Sequence, residues 1–112
     1  MHQETLQQGM HLYFYCHAHT KHDGMLLTEW LLEQARKNGL GGGSVFRACA
    51  GFGRHGVLHE EKFFELADDL PVKVEFLLGE SQAATLLQLA RDANIDAIYA
   101  YSPASFALLG TK

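Results

Sequence analysis

The stretch MHLYFYC, Met10 to Cys16, alternates with period two: Leu12, Phe14 and Cys16 share one face, and His11, Tyr13 and Tyr15 the other. That is the pattern of a strand with one buried side. After the polar segment HAHTKHDG the period changes. In MLLTEWLLEQARKNG, Leu27, Leu31 and Ala35 recur at spacing four beside Trp30. Asn38-Gly39 follows as a left-handed stop, so the run predicts a helix of about four turns. GSVFRACAGF predicts a second strand ending at Gly53, with Phe46, Ala48, Ala50 and Phe52 on one face and Val45, Arg47 and Cys49 on the other. PVKVEFLLG predicts a third, with Val72, Val74, Phe76 and Leu78 inward and Lys73 and Glu75 outward. Pro71 suits its first position, where no ladder hydrogen bond is yet lost. Ser81 is the expected cap of a second helix, QAATLLQLARDAN, whose Ala83, Leu86, Leu87 and Ala90 form an inner stripe. IDAIYAYS predicts a fourth strand.

The order strand, helix, strand, strand, helix, strand predicts an α+β fold of the ferredoxin-like βαββαβ kind. Right-handed crossovers place both helices on one face of a four-stranded antiparallel sheet. The first and third strands are then central and the second lies beside the third. The uncovered face is expected to carry Tyr13, Tyr15, Val45, Cys49, Leu77, Tyr99 and Tyr101, enough aromatic and apolar area to predict a sheet-against-sheet oligomer. Residues 53–70 are too many for a hairpin turn, and functional loops are one usual reason for such length. Within them HEEKFFELADD has the spacing of one or two helical turns, with Phe63, Leu66 and Ala67 directed at the core. The chain reads as a single domain over residues 1–112, with peripheral ends at 1–9 and 103–112.

Composition narrows the function. The 112 residues are 47% hydrophobic and 20% charged, which excludes disorder. Nine Lys and Arg stand against thirteen Asp and Glu, which leaves no broad basic face for nucleic acid. Apolar runs of a few residues fall far short of the ~20 needed to cross a bilayer, and the N-terminus MHQETLQQGM lacks the apolar centre of a secretory signal. A cytoplasmic protein without membrane insertion is expected. Cys16 and Cys49 read as buried free thiols, on non-adjacent strands and opposite faces, which excludes a disulfide between them.

Three places could carry chemistry. In AGFGRHGVLHEE, Gly51, Gly53 and Gly56 allow backbone N–H groups to converge on an anion, Arg54 adds a guanidinium, and His55 could stack or donate. Spacing alone favours a tight strand-end turn over an anion site, since this is neither a Walker A sequence nor a dinucleotide fingerprint. In CHAHTKHD, His17, His19 and His22 could hold a divalent metal, although a solvated polar loop accounts for the spacing more readily. Arg47 is expected on the interface face, paired with Glu75 or in contact with ligand. His59 beside Glu60 reads as exposed charge or as a loop acid/base pair. No nucleophile stands beside a base and an orienting group, so no enzyme is expected.

The segment from Gly41 to Leu78 resembles the signature of the PII-like domain of unknown function 190. It passes from a glycine-rich stretch to a strand ending Gly51-Phe52-Gly53, an early loop histidine and a Leu-Pro-Val strand start. His22 and Gly24 fall on that family's His-Gly pair, and the resemblance covers about residues 10–101. The segment is also similar to the nitrogen-regulatory PII proteins, with Gly51, Phe52, Gly53 and Arg54 on their GFGR and His55 where they have glutamine. The resemblance implies a homotrimeric signalling protein that binds an adenine nucleotide between subunits. It further implies that a mobile T-loop-like segment at 53–70 regulates a partner, a transporter or an enzyme. It assigns the ligand to Gly51, Phe52, Gly53, Arg54, His55 and Gly56, with Arg47 and His59 nearby, and requires no cofactor. Between the second helix and the fourth strand ARDANIDA supplies neither the glycines nor the lysine with which PII holds β- and γ-phosphates, so AMP, ADP or another small anion is expected over ATP. The alternative is a CutA-like metal-binding or metal-tolerance protein using His17, His19 and His22.

Overall fold

The computed structural model describes residues 5–52, 58–60 and 71–110. Strand β1 (Gln7–His17) leads through two short strands, β2 (Lys21–His22) and β3 (Met25–Leu26), into helix α1 (Leu27–Lys37). Strand β4 (Gly43–Arg47) follows, then the short strands β5 (Ala50–Phe52) and β6 (Leu58–Glu60). Strand β7 (Pro71–Gly79), helix α2 (Glu80–Asp92) and strand β8 (Ile98–Phe106) complete the chain. The main sheet has the order β4-β7-β1-β8 with every neighbour antiparallel, which is the expected ferredoxin-like topology with the first and third long strands central.

The core lies between this sheet and the two helices. Leu12 and Phe14 of β1 and Val72, Val74, Phe76 and Leu78 of β7 meet Leu27, Trp30, Leu31 and Ala35 of α1 and Ala83, Leu86, Leu87 and Ala90 of α2, all buried. At roughly 1.5–3 kcal/mol for each large apolar side chain removed from water, this cluster dominates the stability. Helix α1 is shorter than its periodicity suggests, because Met25 belongs to a two-residue hairpin with β2. Asp23 and Gly24 both take positive φ, 52° and 78°, the geometry of a type I′ turn, for which Asp-Gly is a signature. The helix stops as expected: Gly39 has φ +69° and the Leu40 N–H reaches the Ala35 carbonyl at 2.9 Å. Helix α2 begins at Glu80, one residue before Ser81, and its capping contact is the Gly79 N–H donating to Gln82 Oε1 at 3.1 Å. Gly79 therefore takes the position expected of Ser81.

The outer strands depart from what their sequences suggest: the expected second strand stops at Arg47 and resumes as the separate β5, whereas β8 runs further. Strand β8 continues through Pro103 to Phe106 because β1 begins at Gln7 and offers partners that far, Gln7 opposite Phe106 and Gly9 opposite Ala104. The tail from 103 is thus partly sheet. Register also fixes the faces, since residues directly opposite share one. Val45 pairs with Val74 and Arg47 with Val72, on the helix side, while Ser44 and Phe46 pair with Glu75 and Lys73 on the open side. Tyr99 pairs with Phe14 and Tyr101 with Leu12, again on the helix side. The expected assignment of Val45, Arg47, Tyr99 and Tyr101 to the open face is therefore reversed, and Phe46 joins Tyr13, Tyr15 and Leu77 there. Cys49 lies beyond the end of β4 and is exposed. Both cysteines are free. Burial, and secondarily the charge of Asp96, pushes the Cys16 thiol up to about 11, so it behaves as a small hydrophobe.

Among the described residues no helix is long and apolar enough to cross a membrane.

Candidate ligand-binding site

The glycine-arginine corner begins where β4 leaves the main sheet. Arg47 still pairs with Val72, and the Ala48 N–H donates to the Pro71 carbonyl at 3.0 Å, so the two ends of the long connection are held side by side. Beyond this closure β5 and β6 form a two-stranded antiparallel ribbon, with Ala50 opposite Glu60, Gly51 opposite His59 and Phe52 opposite Leu58. Of the expected ligand residues, the backbones of Gly51, Phe52 and His59 are thus brought together. Gly53, Arg54, His55 and Gly56 belong to the five-residue connection between the ribbon strands, which lies outside the described residues, as does the expected helical turn with Phe63, Leu66 and Ala67. Arg47 stands at the root of the ribbon, exposed, on the helix side of the sheet.

The expected Arg47–Glu75 ion pair does not form, because the two residues lie on opposite faces. Glu75 instead meets Lys73 Nζ at 2.5 Å and His11 Nε2 at 3.4 Å. Lys73 stands 5.5 Å from the centroids of both the Tyr13 and Phe46 rings. The His11 ring meets Tyr13 edge-on at 4.7 Å, and Tyr13 meets Tyr15 at 5.8 Å. The hydrogen bond from Lys73, and secondarily from His11, holds the Glu75 carboxyl below its ordinary range; the same bond raises Lys73. The open face is therefore an aromatic surface whose central charges are already compensated, a form that burial against another surface tolerates.

At the same end of the sheet but on its opposite edge, α2 joins β8 through a turn in which Asn94 takes φ +55°. Three of its amides are used within the chain: Ala93 N–H donates to Leu89, Asn94 to Arg91 and Ile95 to Ala90 carbonyls, at 3.1, 3.0 and 3.4 Å. A groove of about 270 Å³ opens beside it, lined by Phe14, Leu87, Ala90, Arg91, Asn94, Ile95, Ala97 and Tyr99. Arg91 Nη2 donates to the Tyr99 hydroxyl at 3.3 Å across its mouth. Sequence reading passed over this groove, because it rests on the helix-side placement of Tyr99 that only the register reveals.

The histidine cluster does not assemble. Among the described residues no group of three or more His, Cys, Asp or Glu side chains could hold a metal ion. The cause is local: β1 ends at His17, the chain turns with Thr20 N–H on the His17 carbonyl at 3.1 Å, and His22 reappears in β2. There its ring meets Trp30 edge-on at 4.8 Å, with Nε2 3.7 Å from Asp23 Oδ2. Among the described residues, His17, His19 and His22 therefore do not form a metal-holding group.

The DUF190 family model, described as Uncharacterized ACR, matches residues 9–102. A UPF0166 protein of Aquifex aeolicus is 38% identical over 66 residues, which span 59% of this chain and 63% of that protein. Several solved structures share the fold. CPII of Thiomonas intermedia K12 bound to ADP and bicarbonate superposes with a TM-score of 0.66 at 16% identity, covering 93% of both chains. The same protein bound to ADP, AMP and bicarbonate gives 0.67 at 15% over 93% and 92%. Its apo form, described as a nitrogen regulatory PII-like protein, gives 0.62 at 12% over 96% and 100%.

Proposed function

The chain belongs to the DUF190 family, and from that premise and its PII-like fold we propose that it is a regulatory protein that binds an adenine nucleotide. The observation that carries this reading is the ribbon base. Gly51 lies opposite His59, and the Ala48–Pro71 hydrogen bond closes the root beneath them. The connection bearing Gly53, Arg54, His55 and Gly56 is thereby tethered at both ends, which pre-pays part of the entropy of gathering an anion site. Glycine amides and the Arg54 guanidinium suit phosphate, and His55 suits the base or ribose. The structural neighbour solved with ADP and AMP lends the ligand class.

AMP and ADP fit better than ATP. The amides of Ala93, Asn94 and Ile95 are consumed by helix carbonyls, and the turn carries neither the glycines nor the lysine that would gather distal phosphates. The nucleotide sits between subunits of a homotrimer whose protomers meet through the open sheet face around Tyr13, Phe46 and Lys73. Binding fixes the conformation of residues 53–70 and so alters the surface offered to a regulated transporter or enzyme, an output that needs no catalysis.

The test is a thermal-shift screen of AMP, ADP, ATP and inorganic phosphate on the full chain. A ligand that binds only the folded state raises the midpoint by mass action, by about 2.7 kcal/mol of stability at one hundred times its Kd. AMP or ADP is expected to raise it and Arg54→Ala to abolish the effect. A midpoint unmoved by every nucleotide overturns the reading.

A further inference from the structure

We propose that the groove between the end of α2 and β8 is a second binding site, for a small planar aromatic carboxylate. It is independent of the nucleotide reading. Its floor is apolar: Phe14, Leu87 and Ala90 are 1, 8 and 6% exposed. An aromatic ring entering there releases water from surface that offers it no hydrogen bonds. The volume of about 270 Å³ sits just below the usual range of about 300–1,000 Å³ for ligand pockets and suits a single ring.

The mouth supplies the orientation and the sign. Arg91 is held over Tyr99, its guanidinium carbon 5.9 Å from the ring centroid and one N–H on the hydroxyl at 3.3 Å. That bond uses one of five donors and leaves an edge of the fork for a carboxylate. Among the described residues no Asp or Glu lines the groove. Tyr99 and Tyr101 stand parallel within 9°, centroids 6.4 Å apart, and are 43 and 53% exposed. They extend the flat wall that a ring would lie against. The class of anion follows from the turn. A phosphate needs several converging donors, and the Ala93, Asn94 and Ile95 amides are already committed within the chain. One arginine, with these three amides committed, matches the single bidentate edge of a carboxylate.

The test is a titration of the full-length chain with benzoate, followed by amide NMR shifts. Benzyl alcohol serves as the uncharged ring and acetate as the carboxylate without a ring. Benzoate is expected to give saturable shifts at the amides of residues 90–101, at least about tenfold tighter than either control, as one charge-assisted pair implies. Arg91→Gln should erase the preference for benzoate over benzyl alcohol while keeping a folded spectrum, and Arg91→Lys should restore part of it. Saturating AMP should leave the benzoate shifts in place. Equal affinity for benzoate and benzyl alcohol, shifts centred elsewhere, an Arg91→Gln titration matching the parent, or displacement by AMP would each overturn the proposal.

Discussion

Lys73 and Glu75 lie two residues apart on β7, point to the same open face of the sheet, and join through an ion pair of 2.5 Å. Tyr13 and Phe46 stand on either side of the lysine and His11 on the far side of the carboxylate. A strand normally places like-facing neighbours at positions i and i+2 without contact beyond packing. Here the pair neutralises the centre of an aromatic surface, which lets that surface be covered.

The pair gives a signed acid dependence. The folded-state value of Glu75 is depressed, first by the hydrogen bond from Lys73 and then by that from His11. Its contribution is therefore fully present above the unfolded carboxylate's ordinary 4.5 and is lost as pH falls through the lower folded value. Thermal midpoints of the parent and Glu75→Gln should differ by a constant amount above about pH 5 and converge in more acid solution. Arg47→Ala, on the opposite face, should leave that convergence unchanged. A gap that persists at acid pH would show that the carboxylate stabilises by shape rather than charge.

Gly9 tests the centre of the sheet. A Cβ there would fall on the carbonyl of Leu78, a backbone atom, and within 2.9 Å of the Phe106 ring. Gly9→Ala should cost about 1–3 kcal/mol, the usual penalty of overpacking, as a lower urea midpoint at unchanged m-value. Gly24→Ala in the type I′ turn meets no atom within 4 Å and should cost about 1 kcal/mol through its positive φ alone. A Gly9 variant as stable as the parent would refute the register at β1.

The open face predicts assembly. In gel filtration with light scattering the parent should elute as a trimer at micromolar concentration. Phe46→Asp should shift it to monomer, since a lone buried carboxylate costs several kcal/mol. A monomeric parent would remove the intersubunit cleft from the account.

Zinc separates packing from ligation at His22. With its ring edge-on to Trp30 at 4.8 Å, His22→Ala should lower stability by about 1 kcal/mol. Equimolar Zn²⁺ should leave the parent's midpoint in place. A zinc-dependent rise that disappears in His17→Ala would reinstate a metal site.

Much of this architecture was legible in the chain, and the exceptions share a cause. β1, β7 and both helices are central or fully packed, so one periodicity decides each of them. β4 and β8 are edge strands in which apolar residues fall at neighbouring positions, Val45 beside Phe46 and Ile98 beside Tyr99, so alternation selects neither face and only the pairing with Val74 and Phe14 settles it. The Arg47–Glu75 pairing and the groove at Arg91 both turned on that choice. The histidine cluster failed for a related reason: three residues close in sequence were separated by a strand end, a turn and a hairpin. The β2–β3 hairpin left a clear Asp-Gly signal, hidden because Met25 also continued the helical period.

Isothermal titration of the full chain with AMP and with ADP tests the central claim most directly. Saturable heat is expected with one nucleotide per chain, retained in Arg91→Gln and lost in Arg54→Ala. The absence of heat with both nucleotides, or binding that survives Arg54→Ala undiminished, would contradict it.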